Sequence, residues 1–84
     1  MPRYFFDLTN GDGLTRDEMG SVFPDNRESL LKEVSRILTD LARDELPGVD
    51  SGEITVAVRD EVGHTVLVGS LDFQTEWRAK PVPD

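Results

Sequence analysis

Leu30-Leu31-Lys32-Glu33-Val34-Ser35-Arg36-Ile37-Leu38-Thr39-Asp40-Leu41-Ala42 is the stretch that decides the fold. Leu30, Leu31, Val34, Ile37, Leu38, Leu41 and Ala42 recur three and four residues apart, so a helix gathers them into one apolar stripe. Glu28–Lys32 and Arg36–Asp40 then fall four apart on the solvent side as opposite-charge pairs. Upstream, Asp25 followed by Glu28 reads as a capping box with Asp in the capping position. Downstream, Pro47-Gly48 stops the helix after about twenty residues, or about 30 Å.

Working outward, a hairpin is expected on each side. Arg3-Tyr4-Phe5-Phe6-Asp7-Leu8 alternates as a strand, with Tyr4, Phe6 and Leu8 on one face. Asn10-Gly11-Asp12-Gly13 supplies the residues of a tight turn, and Leu14 to Met19 returns as a short, charged edge strand ended by Gly20. After the helix, Glu53 to Arg59 places Ile54, Val56 and Val58 on one face. Asp60-Glu61-Val62-Gly63 turns, and His64 to Phe73 forms the fourth strand. That strand breaks alternation: Val66 and Val68 have one parity, Leu71 and Phe73 the other. A bulge at Gly69-Ser70 would put all four on one face; a flat strand buried on both faces would instead imply a partner. The bulge is the reading adopted.

The order β-β-α-β-β gives an α+β domain over residues 1–76, a four-stranded and mainly antiparallel sheet packed on one helix, followed by a short tail over residues 77–84. One helix covers one face of such a sheet. The far face is expected to show Phe5, Thr15, Thr55, Ala57 and Leu67.

Composition narrows the function. With 84 residues the chain forms one domain with a modest core, for which self-association is a reasonable support. The absence of cysteine excludes disulfides and thiolate chemistry. A net charge of −8 opposes direct binding to nucleic acid, whose phosphates call for Lys and Arg. The acids are spread along the chain and mixed with Arg27, Lys32, Arg36 and Arg43 in the helix, so solubility explains them better than mimicry of a nucleic acid. No segment is apolar enough to span a membrane. The start Met1-Pro2-Arg3 leads into an aromatic run broken by Asp7, not a secretory signal, and a cytoplasmic address is expected.

The opening Met-Pro-Arg-Tyr-Phe-Phe-Asp-Leu, then Gly-Asp-Gly-Leu, Asp-Glu-Met-Gly and Pro-Asp ahead of the helix, together with Ala-Arg-Asp-Glu-Leu-Pro and Val-Arg-Asp-Glu-Val-Gly, carry a resemblance. The chain resembles a family of small alphaproteobacterial proteins of unknown function that begin with a Pro-Arg-Tyr-(Phe or Tyr)-Phe signature. The resemblance covers roughly residues 1–76; Met19 and the tail after Trp77 depart from it. It implies a small cytoplasmic bacterial protein and no particular chemistry.

No catalytic set stands out. Asn10-x-Asp12-Gly13 matches the middle of a calcium loop, but Leu8 and Met19 occupy its first and twelfth ligand positions. His64 is the sole histidine, so a transition-metal site lacks its usual ligands. The serines sit in no nucleophile pattern, and Asp17-Glu18 and Asp60-Glu61 read as solubilising pairs on turns and edges. The glycines have no phosphate-loop spacing. The expectation is a non-enzyme without metal or cofactor: a small protein-interaction or regulatory module, with an unidentified protein partner and a homodimer expected. Candidate contact residues are Phe5, on the outward parity, and Trp77, just past the last strand, the latter weighed against a role in capping the core. The alternative is an acidic inhibitor of a basic nucleic-acid-binding protein.

Overall fold

In the computed structural model, which describes residues 1–79, an antiparallel sheet carries one helix. The elements are β1 (Arg3–Asn10), β2 (Gly13–Thr15), β3 (Ser21–Val22), α1 (Arg27–Glu45), β4 (Ser51–Arg59) and β5 (Thr65–Gln74). The sheet order is β2-β1-β4-β5, with β3 also pairing β1, so β1 and β4 are central and β5 is one edge. The α+β architecture expected from the sequence is present, with five strands in place of four.

The fifth strand comes from the segment read as one strand over residues 14–19. Only Gly13–Thr15 pairs there, as Leu8↔Thr15 and Thr9↔Leu14. The chain then leaves the ladder and returns as Ser21–Val22 against Tyr4 and Arg3. Between them the Asp17 carboxylate does the work of a strand, its Oδ2 accepting from the Phe6 N–H at 3.1 Å.

Tyr4, Phe6, Ile54, Val56 and Val58 meet Leu30, Val34 and Leu38 of α1 in the core. Ile54, Val56 and Val58 are at most 1% exposed, which places the helix over β4. It also lies over β5: a Cβ on Gly69 would stand 2.5 Å from Val34 Cγ1 and 3.3 Å from Leu38 Cδ1. Phe23 completes the core on the β1 side, its ring centroid 5.3 Å from that of Phe6.

Several local expectations are corrected. The helix cap is Asn26, whose side chain accepts from Ser29 N–H, because Asp25 is turned to the Tyr4 hydroxyl at 2.8 Å. Among the described residues Glu28 and Lys32 form no ion pair, whereas the expected Arg36–Asp40 pair is present and Arg36 also bonds Glu33. Leu31 is half-exposed, outside the buried stripe. Thr15 lies opposite Leu8, on the helix side, and Leu67 opposite the buried Val58 packs against the core, so neither is on the far face. Most consequential, there is no bulge at Gly69-Ser70. The ladder steps from Val58↔Leu67 to Arg59↔Thr65, so the extra residue is Val66. From Leu67 onward β5 is regular, and its apolar residues divide between the two faces. The tail expected over residues 77–84 is described only as far as Ala79, without regular structure; its last five residues lie outside the described set.

Candidate interaction surface

Two features stand out from this frame: a polar cluster on the sheet face away from the helix, and the free edge of β5. The cluster forms because Asp7 and Arg59 both point to that face. Phe5 pairs with Arg59 and Asp7 with Ala57 across β1 and β4, so the Arg59 side chain reaches diagonally to Asp7. Arg59 Nε donates to Asp7 Oδ2 at 2.6 Å and Nη2 to Oδ1 at 3.2 Å, a two-point pair with both side chains largely buried. Nη2 also donates to the Asp17 carbonyl at 3.0 Å, and Asp7 Oδ1 accepts from Asp17 N–H at 2.9 Å. Asp17 Oδ1 in turn accepts from Gly20 N–H at 2.9 Å. Loop 16–20 is thereby pinned to the outside of β1.

The electrostatics follow from these bonds. The Arg59 guanidinium holds the Asp7 carboxyl below its ordinary range against the opposing effect of burial. Burial pushes Asp17 up, but the N–H groups of Gly20, Phe6 and Met19 outweigh it, and the group ends below its ordinary value. Hydrogen bonding to Asp7 raises Arg59. Every acceptor the cluster offers is thus taken by a donor of the same chain, and no buried side-chain polar atom among the described residues lacks a partner. The chemistry available here is anchorage. The sequence reading missed it by treating Asp17-Glu18 as solvated; the only signal was an Asp three residues before a Gly, too common to single out.

Phe5 belongs to this cluster. Its ring lies 4.9 Å beneath the Arg59 Cζ, and Gly20, at φ +68°, leaves no room for a Cβ beside it. The side chain is half-buried by its own chain. Trp77 is 88% exposed and does not cap the core. His64 is exposed in the turn Asp60–His64, where Asp60 Oδ1 accepts from the N–H groups of Val62 and His64. Among the described residues no group of three His, Asp or Glu side chains is placed to hold a metal ion. No helix of the described residues is long and apolar enough to cross a membrane.

The β5 edge differs from the cluster in that no strand among the described residues pairs with it. The opposite edge of the sheet is broken into strands of three and two residues by the pinned loop, and short, interrupted strands resist further pairing. β5 runs ten residues with Asp72 as its single charge and no proline. Among the described residues its outer backbone groups have no partner strand. Val66 and Val68 are 48% and 58% exposed, Leu71 on the helix side is 37% exposed, and Leu31 of α1, beside Val66 and Leu67, is 49% exposed. Leu31, Val66 and Leu67 also line the mouth of a cavity of about 340 Å³ with Tyr4, Asp25 and Leu30.

No curated protein and no solved structure matches the chain. The model of the family described as a domain of unknown function, DUF6894, matches residues 3–72, which take in nearly the whole sheet, the helix and the Asp7–Arg59–Asp17 cluster; the chain belongs to that family.

Proposed function

We propose that this chain is a small non-enzymatic protein-interaction or regulatory module whose contact surface is the β5 edge and the flank of α1 beside it. The observation that carries this reading is the asymmetry of the two sheet edges: one is closed by a pinned loop, the other is long and nearly uncharged, with Leu67, Leu71 and Phe73 on the helix side and Val68 exposed on the other. An edge of that kind is a template for another strand. The clustered carboxylates support the non-enzymatic half of the reading, since Asp7 and Asp17 are engaged by donors of the chain itself. On this reading the protein acts in the cytoplasm, without a cofactor and without direct contact to nucleic acid or membrane.

The test is capture with the tagged full chain from cells that also express it untagged, comparing wild type with Leu71→Lys at low and high salt. A stoichiometric protein retained by wild type at high salt and lost with Leu71→Lys is the expected result. Equal recovery by both baits overturns the reading. A partner that is basic and released by moderate salt would instead favour an acidic inhibitor of a nucleic-acid-binding protein, because exposed charge contacts are screened within about 10 Å at 0.1 M salt.

A further inference from the structure

Resting on the reading of β5 as the contact surface, we infer that its occupant is a second copy of this chain, bound by antiparallel β5–β5 pairing about a two-fold axis perpendicular to the sheet. The result is a continuous sheet with both helices on the same side.

Three features fit a second copy. The first is the position of α1. It runs alongside β5, with Leu31 near Val66 and Leu67, Val34 and Leu38 over Gly69, and Leu46 over Gly52, the residue that pairs with Phe73. It sits over both β4 and β5. With strands about 4.8 Å apart, a helix centred between those two lies about 4.8 Å from the axis, so the two helices would be separated by about 10 Å, the spacing of packed helices. A partner strand without a helix would leave that side bare.

The second is the composition of the helix flank that would face its copy. Leu31, Ser35, Thr39 and Ala42 continue one side of α1 by the helical period; none of them is charged, and the one charge on that side is Glu28 in the first turn. The Ser35 hydroxyl is turned back onto the Leu31 carbonyl at 2.9 Å, which removes its need for water. Leu31 and Ala42 lie about 8 Å to either side of the Gly69 level. A two-fold through Gly69 therefore sets the large Leu31 of one helix against the small Ala42 of the other.

The third is the pairing along β5. About Gly69, Leu67 faces Leu71 of the second copy and Val68 faces Ser70, while the two Asp72 side chains stand about 20 Å apart and do not repel. Leu31, Val66, Val68 and Leu71 still expose about 350 Å² per copy, near half of the roughly 800 Å² per partner in a stable interface. The β5 backbone and the remaining helix flank supply further contact.

Sedimentation equilibrium of the full chain from about 1 to about 100 µM tests the assembly. A mass of twice 9.4 kDa is expected. Leu71→Lys and, independently, Leu31→Lys should weaken it at least tenfold (about 1.4 kcal/mol) with helical circular dichroism unchanged; Leu31 is half-exposed on the helix surface, so its variant folds even if Leu71→Lys does not. Because the chain has no cysteine, a spin label on Ser70→Cys reports the geometry: labels on paired strands should broaden one another's spectra, whereas labels on Thr15→Cys at the far edge should not. A monomer throughout the range overturns the inference, and if Leu71-dependent capture of a different protein persists, the interaction reading stands without it. A dimer indifferent to both lysines, or one whose labels couple at position 15 and not at 70, overturns it as well.

Discussion

Arg59 grips Asp7 at two points, Nε to Oδ2 at 2.6 Å and Nη2 to Oδ1 at 3.2 Å, on the face of the sheet that no helix covers. An ion pair there would ordinarily be solvated and contribute little. Here the loop pinned by Asp17 lies over it, and the Phe5 ring lies below the guanidinium, so both partners are largely withdrawn from water. Removing one partner leaves the other charge poorly solvated. Arg59→Met should lower the urea unfolding midpoint. Asp7→Asn in the same background should cost much less than it does alone, because the two side chains act as one unit. Additive losses in the double variant would show that the pair is not coupled.

The same bonds set the acid limit of the fold. Asp7 and Asp17 both have carboxyls held below their ordinary values. A depressed carboxylate contributes stability that is complete above the unfolded-state value of about 4 and is lost as pH falls through the folded-state value. Urea midpoints should therefore be level from about pH 5 to pH 7 on account of these two groups and fall steeply below about pH 4. Asp17→Asn should be less stable at neutral pH and show a shallower acid limb. A variant curve parallel to that of wild type would remove Asp17 from the explanation.

At Gly69 the helix leaves no room for a side chain on the sheet. A methyl there would overlap Val34 Cγ1, and Val34 is itself 4% exposed with nowhere to move. Gly69→Ala should cost about 2 kcal/mol by overpacking. Gly11→Ala, where nothing lies within 4 Å, is the control and should change stability by less than about 0.5 kcal/mol. Equal effects at the two sites would mean that the helix does not bear on β5.

Long-period features were legible in the sequence and exceptions to a period were not. The helix was read from seven apolar residues three and four apart, and both hairpins from alternation around turn residues; each is present. The edge strand failed because Asp17 replaces a backbone partner with a side chain, an exchange that leaves no trace in hydrophobic pattern. The bulge in β5 is misplaced by the sequence reading because the pattern shows only that parity changes between Val68 and Leu71, not where the extra residue sits. The smallness of Gly69 serves the helix above it, a contact between residues 35 positions apart in the chain that no local rule reports. Of the candidate contact residues, outward parity identified the face of Phe5 but not that Arg59 and Gly20 cover it.

The helix start gives a local test of one such exception. Asp25 and Asn26 are both good capping residues, and only the claim of the Tyr4 hydroxyl on Asp25 separates them. Asn26→Ala should cost about 1 kcal/mol and fray the first turn. Asp25→Ala should leave the helical signal intact and instead lower the pKa of the Tyr4 phenol, which the bond to Asp25 raises above its ordinary value. Far-ultraviolet circular dichroism of the two variants reads the helix, and an ultraviolet titration of the phenol reads Tyr4. If Asp25→Ala frays the helix while Asn26→Ala does not, the cap has been assigned to the wrong residue.

Phe5 and Trp77 should separate in the opposite way from their size. Phe5 is held between the Arg59 guanidinium and Gly20, so Phe5→Ala removes buried ring surface and a cation–π contact together, at a cost of about 2 kcal/mol. Trp77, 88% exposed, has little to lose on folding, and Trp77→Ala should leave the unfolding midpoint unchanged. Its fluorescence offers a direct check, since it is the only tryptophan. Emission from the native chain should match that of the urea-unfolded chain, both being indole in water. A blue-shifted native spectrum that moves red on dilution would place Trp77 in a contact between copies, extending the β5 interface past the end of the strand. A blue shift independent of concentration would mean that the ring packs on its own domain, and then Trp77→Ala must cost stability.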